Sequence, residues 1–330
     1  MSTVTSVSGE IAEDIEAGTA LPPLHVILAA PRGFCAGVER AIQAVEDALL
    51  RFGAPVYVRR PIVHNLAVVR DLEAKGAIFV EELAEIPAGS VVIFSAHGVA
   101  REVAREAEAM SLIAFDAVCP LVLKVHNEVT RHSRDGRHVI LVGHPGHPEV
   151  EGTLGQLSPQ AASVVNSPEQ VLALSLPSST PVAYAVQTTY SVGEAQSVVD
   201  AIQERFDDVA GPTGSDICYA TTNRQSALLA IAGDTDAVIV AGAAFSSNAN
   251  RLVDLAKVAG CASVQLIAEA ADIDWDLLGE VRTLGITAAA STPERSVREI
   301  LTALAARYRV HIEERTEIIE NVAFRRLRLA

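Results

Sequence analysis

Short apolar segments alternate with amphipathic segments along most of the chain. HVILAA at 25–30, PVYVRR at 55–60 and VVIFSAHG at 91–98 are each followed by apolar residues at helical spacing. Six further apolar runs continue the pattern: LIAFDAVC, RHVILVGH, PVAYAVQTT, DAVIVAGA, SVQLIA and TLGITAAA. Repeated strand–helix units imply parallel sheets with right-handed crossovers, so the sequence predicts an α/β fold.

Polar residues concentrate where the predicted strands end. The segments concerned are PRGFCAG at 31–37, IVHN at 62–65, SAHG at 95–98, AVCP at 117–120, GHPGHPE at 143–149, QTT at 187–189, ICYATTN at 217–223, SSNAN at 246–250 and STPE at 291–294. Ligand sites in open α/β sheets lie at the carboxyl ends of strands. Nine such segments, carrying three cysteines and four histidines, therefore predict one convergent site.

Charge and length narrow the class of protein. The 330-residue chain has a formal net charge of −15, which disfavours general binding to nucleic acid or acidic membranes. No apolar stretch approaches the length of a membrane span. Residues 1–24 are acidic and lack the features of a secretion signal or transit peptide, so they are predicted to be a disordered leader on a cytoplasmic protein.

Three of the four cysteines follow predicted strands and precede predicted helices. Cys35, Cys119 and Cys218 are separated by 84 and 99 residues, whereas Cys261 lies near the end of a predicted helix. A helix N-terminus favours the thiolate form that binds metal. Three thiolates suit an iron–sulfur cluster with one open iron or a zinc site with one open position, while buried cysteines often act only as small hydrophobic residues. The residues alone leave these possibilities open.

The polar segments also occur in a specific order: PRGFCAGVERAI, VHN, FSAHGV, CPLVLKVH, GHPGHPEVEGT, QTT, ICYATTNRQ, SSNANRL and TAAASTPE. In this order and spacing they closely resemble the 4-hydroxy-3-methylbut-2-enyl diphosphate reductase family of the non-mevalonate isoprenoid pathway. The resemblance extends from about residue 25 to about residue 300. It implies three similar parallel-sheet α/β domains, arranged as a pseudo-threefold trefoil around a central iron–sulfur cluster.

The resemblance also implies domain boundaries. They are a leader at 1–24, domain 1 at 37–119, domain 2 at 120–214, domain 3 at 215–304 plus 25–36, and a C-terminal tail at 305–330.

The implied cofactor is one 4Fe–4S cluster with three cysteine ligands. These positions match Cys35, Cys119 and Cys218, while Cys261 matches no ligand position. The implied reaction is reductive dehydroxylation of (E)-4-hydroxy-3-methylbut-2-enyl diphosphate to isopentenyl diphosphate and dimethylallyl diphosphate. Three ligands leave one iron open for the hydroxyl group of the substrate, which a fourth cysteine would block.

Catalytic and binding residues follow from the same resemblance. Glu149 matches the proton donor, and Thr188 matches a threonine near this acid and the substrate hydroxyl. The residues that match substrate contacts are His64, His97, His147, Thr188, Ser246, Ser247, Asn248 and Ser291. His144 is expected to be structural. The serine and asparagine positions lie at predicted helix starts, where free N–H groups attract anions.

Electrons must come from a partner, because the chain lacks the glycine-rich fingerprint of a dinucleotide site and is predicted to hold neither NAD(P) nor flavin. A ferredoxin or flavodoxin is the implied donor. Such donors are acidic, so we expect a local basic surface despite the net charge. The candidate residues are Arg59, Arg60, Arg131, Arg134 and Arg137.

Two other functions are considered beside the reductase. A zinc-dependent hydrolase would use cysteine and histidine ligands, with Glu149 as its base. A non-enzymatic iron–sulfur sensor would keep the cluster without turnover. The presence of Glu149, Thr188 and the SSN segment argues against the sensor, because a sensor needs no proton donor.

Overall fold

The structure is a computed structural model that describes residues 21–329. Residues 1–20 of the predicted leader lie outside this range. Within residues 21–329, no helix combines the length and apolar character needed to cross a membrane.

The strands confirm the nine apolar runs and add four more. In chain order they are β1 (Pro23–Ala30), β2 (Val56–Arg59), β3 (Ala77–Val80), β4 (Val91–Phe94), β5 (Ile113–Asp116), β6 (His138–Val142), β7 (Ala162–Val165), β8 (Val182–Val186), β9 (Val209–Ala210), β10 (Ala237–Ala241), β11 (Ser263–Ile267), β12 (Thr283–Ala288) and β13 (Arg309–Thr316). The sequence pattern did not predict β3, β7, β9 and β13.

Helices follow most of the strands, as the alternating pattern predicts. In chain order they are α1 (Ala36–Phe52), α2 (Leu66–Ala74), α3 (Arg101–Ala109), α4 (Pro120–Arg134), α5 (Pro148–Leu154), α6 (Pro168–Ala173), α7 (Val192–Arg205), α8 (Tyr219–Ala232), α9 (Ser247–Val258) and α10 (Glu294–Ala305).

Three parallel sheets confirm the predicted fold class. Their strand orders are β11-β10-β12-β1-β13, β3-β2-β4-β5 and β7-β6-β8-β9. Every pairing between neighbouring strands is parallel. Strands β4 and β10 are buried along their whole length, which is typical of parallel sheets covered on both faces.

The chain divides into two compact units. Unit 1 comprises residues 1–33 and 223–320, and unit 2 comprises residues 34–222 and 321–330. The five-stranded sheet belongs to unit 1, and both four-stranded sheets belong to unit 2. The boundaries of the three predicted domains remain a prediction.

The segment predicted as a C-terminal tail contains an ordered strand. Strand β13 pairs with β1 in unit 1, from Pro23 opposite Arg309 to Ala30 opposite Thr316. The last described residues instead pack in unit 2, where Leu329 joins the apolar core that contains Ala41 and Val45.

Helices α1 and α4 show how local sequence places the cysteines. Helix α1 buries its face through Ala41, Ala44, Val45 and Ala48, whose spacing follows the helical repeat. Helix α4 begins with Pro120, a residue favoured at the first helical position. Cys35 and Cys119 are the N-cap residues of these two helices, so each thiol stands at the start of a well-packed helix.

Candidate active site and cysteine centre

The three predicted ligand cysteines lie in unit 2 and are half-buried. Helix α1 approaches the thiols closely at Gly37, where an added Cβ would lie 2.7 Å from Cys119 Sγ and 3.8 Å from Cys35 Sγ. Cys218 is the residue before α8, and its Sγ accepts a hydrogen bond from the Thr221 amide at 3.3 Å. The glycine therefore keeps open a space that any larger residue would fill beside two of the thiols.

Burial makes the thiols poor anions in the absence of a metal. It raises the pKa of Cys119 to about 12 and that of Cys218 to about 11. Neighbouring cysteines raise both pKa values further, whereas the Leu121 amide at the start of α4 acts in the opposite direction on Cys119. The expected thiolate-stabilising effect of the helix N-terminus is present at Cys119, but burial outweighs it. A positively charged metal group would offset the burial penalty and release the thiol protons.

The cysteine set differs from a site for a single ion. Within residues 21–329, no three His, Cys, Asp or Glu side chains are grouped so that they could hold one metal ion. A cluster presents a different iron to each thiolate, so its ligands stand further apart than those of one ion.

Glu149 and Thr188 form a buried hydrogen-bonded pair. The Thr188 amide donates to Glu149 Oε1 at 2.6 Å, and its hydroxyl donates to Oε2 at 2.8 Å. The Thr188 carbonyl oxygen accepts a hydrogen bond from the Cys218 amide at 3.0 Å. One threonine thus connects the carboxyl group to a residue of the cysteine centre.

The environment of Glu149 favours its protonated form. Burial raises the pKa of this carboxyl group to about 7, the two hydrogen bonds from Thr188 lower it, and the Asp216 carboxylate raises it again. A carboxyl group with this pKa can act as an acid near neutral pH. A glutamate in such a turn is ordinarily a solvated surface carboxylate. Glu149 is not, because it is only 3% exposed.

Three predicted substrate-binding histidines converge in the same unit. The His64 and His97 rings stack with centroids 4.2 Å apart, and His147 meets them edge-on at 5.4 and 5.9 Å. They follow β2, β4 and β6, three strands that belong to two different sheets.

The histidine rings are neutral in this environment. Burial lowers the pKa of His64 to about 4 and that of His147 to about 3, and it lowers the pKa of His97 well below the usual value. His147 Nδ1 accepts a hydrogen bond from the Glu149 amide at 3.2 Å. In the neutral ring the proton therefore sits on Nε2, which is buried and has no partner among the described residues. This orphaned donor suits an oxygen atom of a bound molecule.

Unit 1 carries the remaining predicted binding residues. Ser246 caps α9 by accepting from the Ala249 amide at 3.3 Å. Asn248 Oδ1 accepts from the Ala290 amide at 3.2 Å, while its buried Nδ2 has no partner among the described residues. Ser246, Asn248 and Ser291 are all buried, and Ser247 is the first residue of α9. The helix start and the orphaned amide nitrogen are suitable for an anion.

Two residues expected to be structural have structural contacts. Cys261 belongs to unit 1, where its thiol donates to the Ala232 carbonyl oxygen at 3.4 Å within an apolar cluster. The His144 ring packs on Tyr190 with centroids 4.8 Å apart, and its amide donates to Gln187 Oε1.

Lys124 and Asp216 form an ion pair that the sequence analysis missed. Lys124 Nζ lies 3.1 Å from Asp216 Oδ1 and donates to the Ser215 carbonyl oxygen at 3.1 Å. Asp216 Oδ2 accepts from the Val186 amide at 3.0 Å. The pair connects α4, which begins after Cys119, to the loop that carries Cys218. Only the proximity of each residue to a cysteine in the sequence could have drawn attention to it.

A second unpredicted feature is the close packing around Gly98. This residue has a φ angle of +77°, and a Cβ added there would lie 2.6 Å from Cε1 of the buried His126. A Cβ added to Gly152 of α5 would lie 3.1 Å from the Gly98 carbonyl oxygen. The helix that carries Glu149 therefore packs directly against the residue that follows His97.

These features define a class of protein. Parallel α/β sheets carry three cysteines, three buried histidines and a buried glutamate after their strands, an arrangement typical of α/β enzymes that bind a metal–sulfur group. The particular family is shown by the sequence itself. The chain belongs to the LytB protein family, which it matches over residues 26–305, a family of iron–sulfur enzymes.

Named relatives agree with this assignment. The chain is 51% identical over 306 residues to the 4-hydroxy-3-methylbut-2-enyl diphosphate reductase of Gluconobacter oxydans, covering 92% of this chain and 91% of the relative. It is also 51% identical over 302 residues to 4-hydroxy-3-methylbut-2-enyl diphosphate reductase 2 of Bradyrhizobium diazoefficiens, covering 92% and 97%. These names support the reductase and neither of the two alternatives.

A solved structure is similar over nearly the whole chain. The E-1-hydroxy-2-methyl-but-2-enyl-4-diphosphate reductase from Plasmodium falciparum superposes with a TM-score of 0.87 at 35% identity. The match covers 93% of this chain and 96% of that protein.

Proposed function

We propose that this chain catalyses the reductive dehydroxylation of (E)-4-hydroxy-3-methylbut-2-enyl diphosphate to isopentenyl diphosphate and dimethylallyl diphosphate. The reaction consumes two electrons and two protons and releases the hydroxyl oxygen as water. The observation that carries the proposal is the hydrogen-bonded connection from Glu149 through Thr188 to Cys218, which supports a role for this buried carboxyl group as proton donor beside the cysteine centre.

Cys35, Cys119 and Cys218 would hold a 4Fe–4S cluster. Three half-buried thiols, two of which have raised pKa values at Cys119 and Cys218, and the space beside Gly37 fit such a group. When bound, the cluster supplies electrons and Lewis-acid chemistry.

Glu149 donates the proton that the leaving hydroxyl group needs. Its raised pKa keeps a large fraction protonated near pH 7, and the two hydrogen bonds from Thr188 fix the orientation of the carboxyl plane. Because Glu149 is buried, little bulk water competes with the substrate for its proton.

The three histidines bind the substrate as neutral donors. A neutral ring can still offer one N–H group, and the orphaned Nε2 of His147 is aimed at such a role. His64 and His97 contact the diphosphate in the same way. An anion bound here would raise the pKa of the surrounding histidines and so strengthen them as donors.

Ser246, Ser247, Asn248 and Ser291 of unit 1 contribute diphosphate contacts. The N-terminus of α9 and the unpartnered Asn248 Nδ2 supply donors that do not require a positive side chain. This set accounts for the binding of an anionic substrate by a strongly acidic chain.

Electrons are delivered by a ferredoxin or flavodoxin in the cytoplasm. The reaction consumes two electrons, and the chain lacks the glycine-rich fingerprint of a dinucleotide site. A separate electron-carrier protein therefore supplies them.

Anaerobic purification tests the proposed function. Iron, acid-labile sulfide and the visible spectrum should reveal a cluster, and addition of the hydroxylated allylic diphosphate should change that spectrum. With reduced methyl viologen the two isoprenoid diphosphates should appear. A colourless protein that resists cluster reconstitution and carries zinc, or no metal, would overturn the proposal.

A further inference from the structure

The C-terminal residues form a basic surface next to the cysteine centre. Residues 324–329 (FRRLRL), here named the arginine tail, alternate between inward leucines and outward arginines. Leu329 is buried in the core of the β2–β4 sheet, and Leu327 packs against the same core. Arg325, Arg326 and Arg328 are exposed. The anchored leucines therefore give the three charges a fixed position on unit 2.

One arginine connects this tail to the residues before a ligand cysteine. Arg40 Nε donates to the Arg325 carbonyl oxygen at 3.0 Å. Its Nη1 donates to the carbonyl oxygens of Ala117 and Val118 at 3.2 and 3.0 Å. Val118 directly precedes Cys119. The tail backbone is thus separated from the Cys119 loop by a single guanidinium group.

The same surface borders Cys35. A cavity of about 170 Å³ is lined by Ala36, Glu39, Arg40, Gln43, Ala323, Phe324 and Arg326. Ala36 follows Cys35, so this cavity opens at the first turn of α1. The arginine tail consequently lies beside the chain segments of two of the three cysteines, all within unit 2.

The charge of the arginine tail is locally in excess. Arg326 makes only a long contact to Asp47, at 3.5 Å, and among the described residues Arg325 and Arg328 form no ion pair. Glu39 is the one acidic residue that lines the cavity, among the described residues. Of the five arginines predicted from sequence, Arg59 pairs with Glu82, Arg60 with Glu151 and Arg137 with Asp208, whereas Arg131 and Arg134 form no ion pair among the described residues.

We propose that the arginine tail is the docking surface for a small acidic electron-transfer protein. This inference rests on the proposed reductase function and names the place where its electrons enter. Two successive dockings each oxidise one carrier by one electron. These two electrons and two protons break the substrate C–O bond: one proton leaves with the hydroxyl group as water, and the other forms the new C–H bond of the product. An acidic carrier is repelled by most of a chain with net charge −15, so a local positive surface directs it to one place.

The test compares two triple charge reversals that change the net charge equally. Arg325→Glu, Arg326→Glu and Arg328→Glu together remove the proposed surface. Arg105→Glu, Arg131→Glu and Arg134→Glu together serve as the matched control on another surface of unit 2. This set includes Arg131 and Arg134, two arginines predicted from sequence, so it also tests that rival docking surface. Binding of a reduced plant-type ferredoxin is measured by calorimetry, and turnover is measured with that ferredoxin and with reduced methyl viologen.

The tail variant should lose ferredoxin affinity and show roughly 10- to 100-fold lower kcat/KM for ferredoxin at low salt. Its turnover with methyl viologen should equal that of the wild type, and the difference between the two donors should shrink at high salt. The control triple variant should keep its ferredoxin affinity. Replacing the three tail arginines with lysine checks folding and should retain binding.

Equal ferredoxin binding by the tail variant and the wild type would overturn the docking surface, as would equal losses in both triple variants. If wild-type protein gives no product with methyl viologen, the proposed function fails instead. The calorimetric comparison still decides whether an acidic carrier binds the arginine tail.

Discussion

The amide and the hydroxyl group of Thr188 each donate a hydrogen bond to a different oxygen of Glu149. This bidentate contact leaves the carboxyl group little rotational freedom. The carbonyl oxygen of the same threonine accepts a hydrogen bond from the Cys218 amide, so Glu149 and the cysteine loop are both hydrogen-bonded to Thr188. The positions of the Glu149 carboxyl group and of the cysteine loop are therefore coupled through a single residue.

Replacing Glu149 with Gln should preserve the cluster and substrate binding but reduce turnover by roughly 10²- to 10⁴-fold, because the amide cannot donate the proton. We expect the protonated carboxyl group to be the active form in the wild type, and burial raises its pKa to about 7. The kcat should therefore fall as pH rises through about 7. Steady-state rates from pH 5.5 to 9 with reduced methyl viologen measure this alkaline limb of the pH–rate profile. Full turnover in the Gln variant would remove Glu149 from the acid role.

Thr188→Val should move the alkaline limb of the pH–rate profile to higher pH. The side-chain hydrogen bond from Thr188 lowers the pKa of Glu149, so its loss raises that pKa while the backbone hydrogen bond remains. Thr188→Ser keeps the hydroxyl group and should retain the wild-type profile. The comparison is made by pH–rate profiles of both variants, and an unchanged profile in Val would show that the hydroxyl does not tune the acid.

Lys124→Met should destabilise the fold and loosen the cysteine centre. The variant leaves the Asp216 carboxylate, whose side chain is fully buried, without its cation. We expect a loss of roughly 3 kcal/mol in the free energy of unfolding, at the low end of the range for a broken buried pair because Lys124 is partly exposed.

The matched control for Lys124 is Lys75→Met, which breaks the exposed pair with Glu46 and should cost less than about 1 kcal/mol. Urea unfolding and the rate of iron loss to a chelator measure the two effects. Equal iron loss in both variants would show that the Lys124–Asp216 pair does not support the centre.

Gly98→Ala should be more harmful than Gly136→Ala. Both glycines have similar positive φ angles, +77° and +79°, so each substitution carries a backbone cost of about 1–2 kcal/mol. Only Gly98 has His126 within contact of the added Cβ, and overpacking there should add about 1–3 kcal/mol. Thermal unfolding compares the pair, and substrate affinity should fall only in Gly98→Ala because His97 precedes the clash. Similar stability in both variants would mean that the His126 ring moves aside freely.

Cys261→Ser should leave iron content unchanged, since this thiol lies in an apolar cluster of unit 1, where it hydrogen-bonds to the Ala232 carbonyl oxygen and contacts the Thr235 hydroxyl group. Cys119→Ser, the comparison, should lose iron. Iron and sulfide analysis after anaerobic reconstitution measures both. Iron loss in Cys261→Ser would contradict the ligand assignment.

Sequence patterns predicted the features that depend on local chemistry. The nine apolar runs became strands because buried parallel strands require continuous apolar residues, and Cys35 and Cys119 were expected at helix starts. Strand β13 was missed because it is an edge strand in which Val310 and Ile312 alternate with charged residues. The Lys124–Asp216 pair and the contact of Gly98 with His126 depend on tertiary packing between distant segments. Neither contact can be predicted from the sequence, because the residues that meet lie far apart along the chain.

The contact of Leu329 with the core around Ala41 and Val45 has a consequence for folding. It joins residues separated by almost the whole of the described chain. Contacts between residues so far apart in sequence carry a large loop-closure cost and form slowly. We therefore expect the core beneath helix α1, and with it the position of Cys35 at the start of that helix, to be completed late in folding.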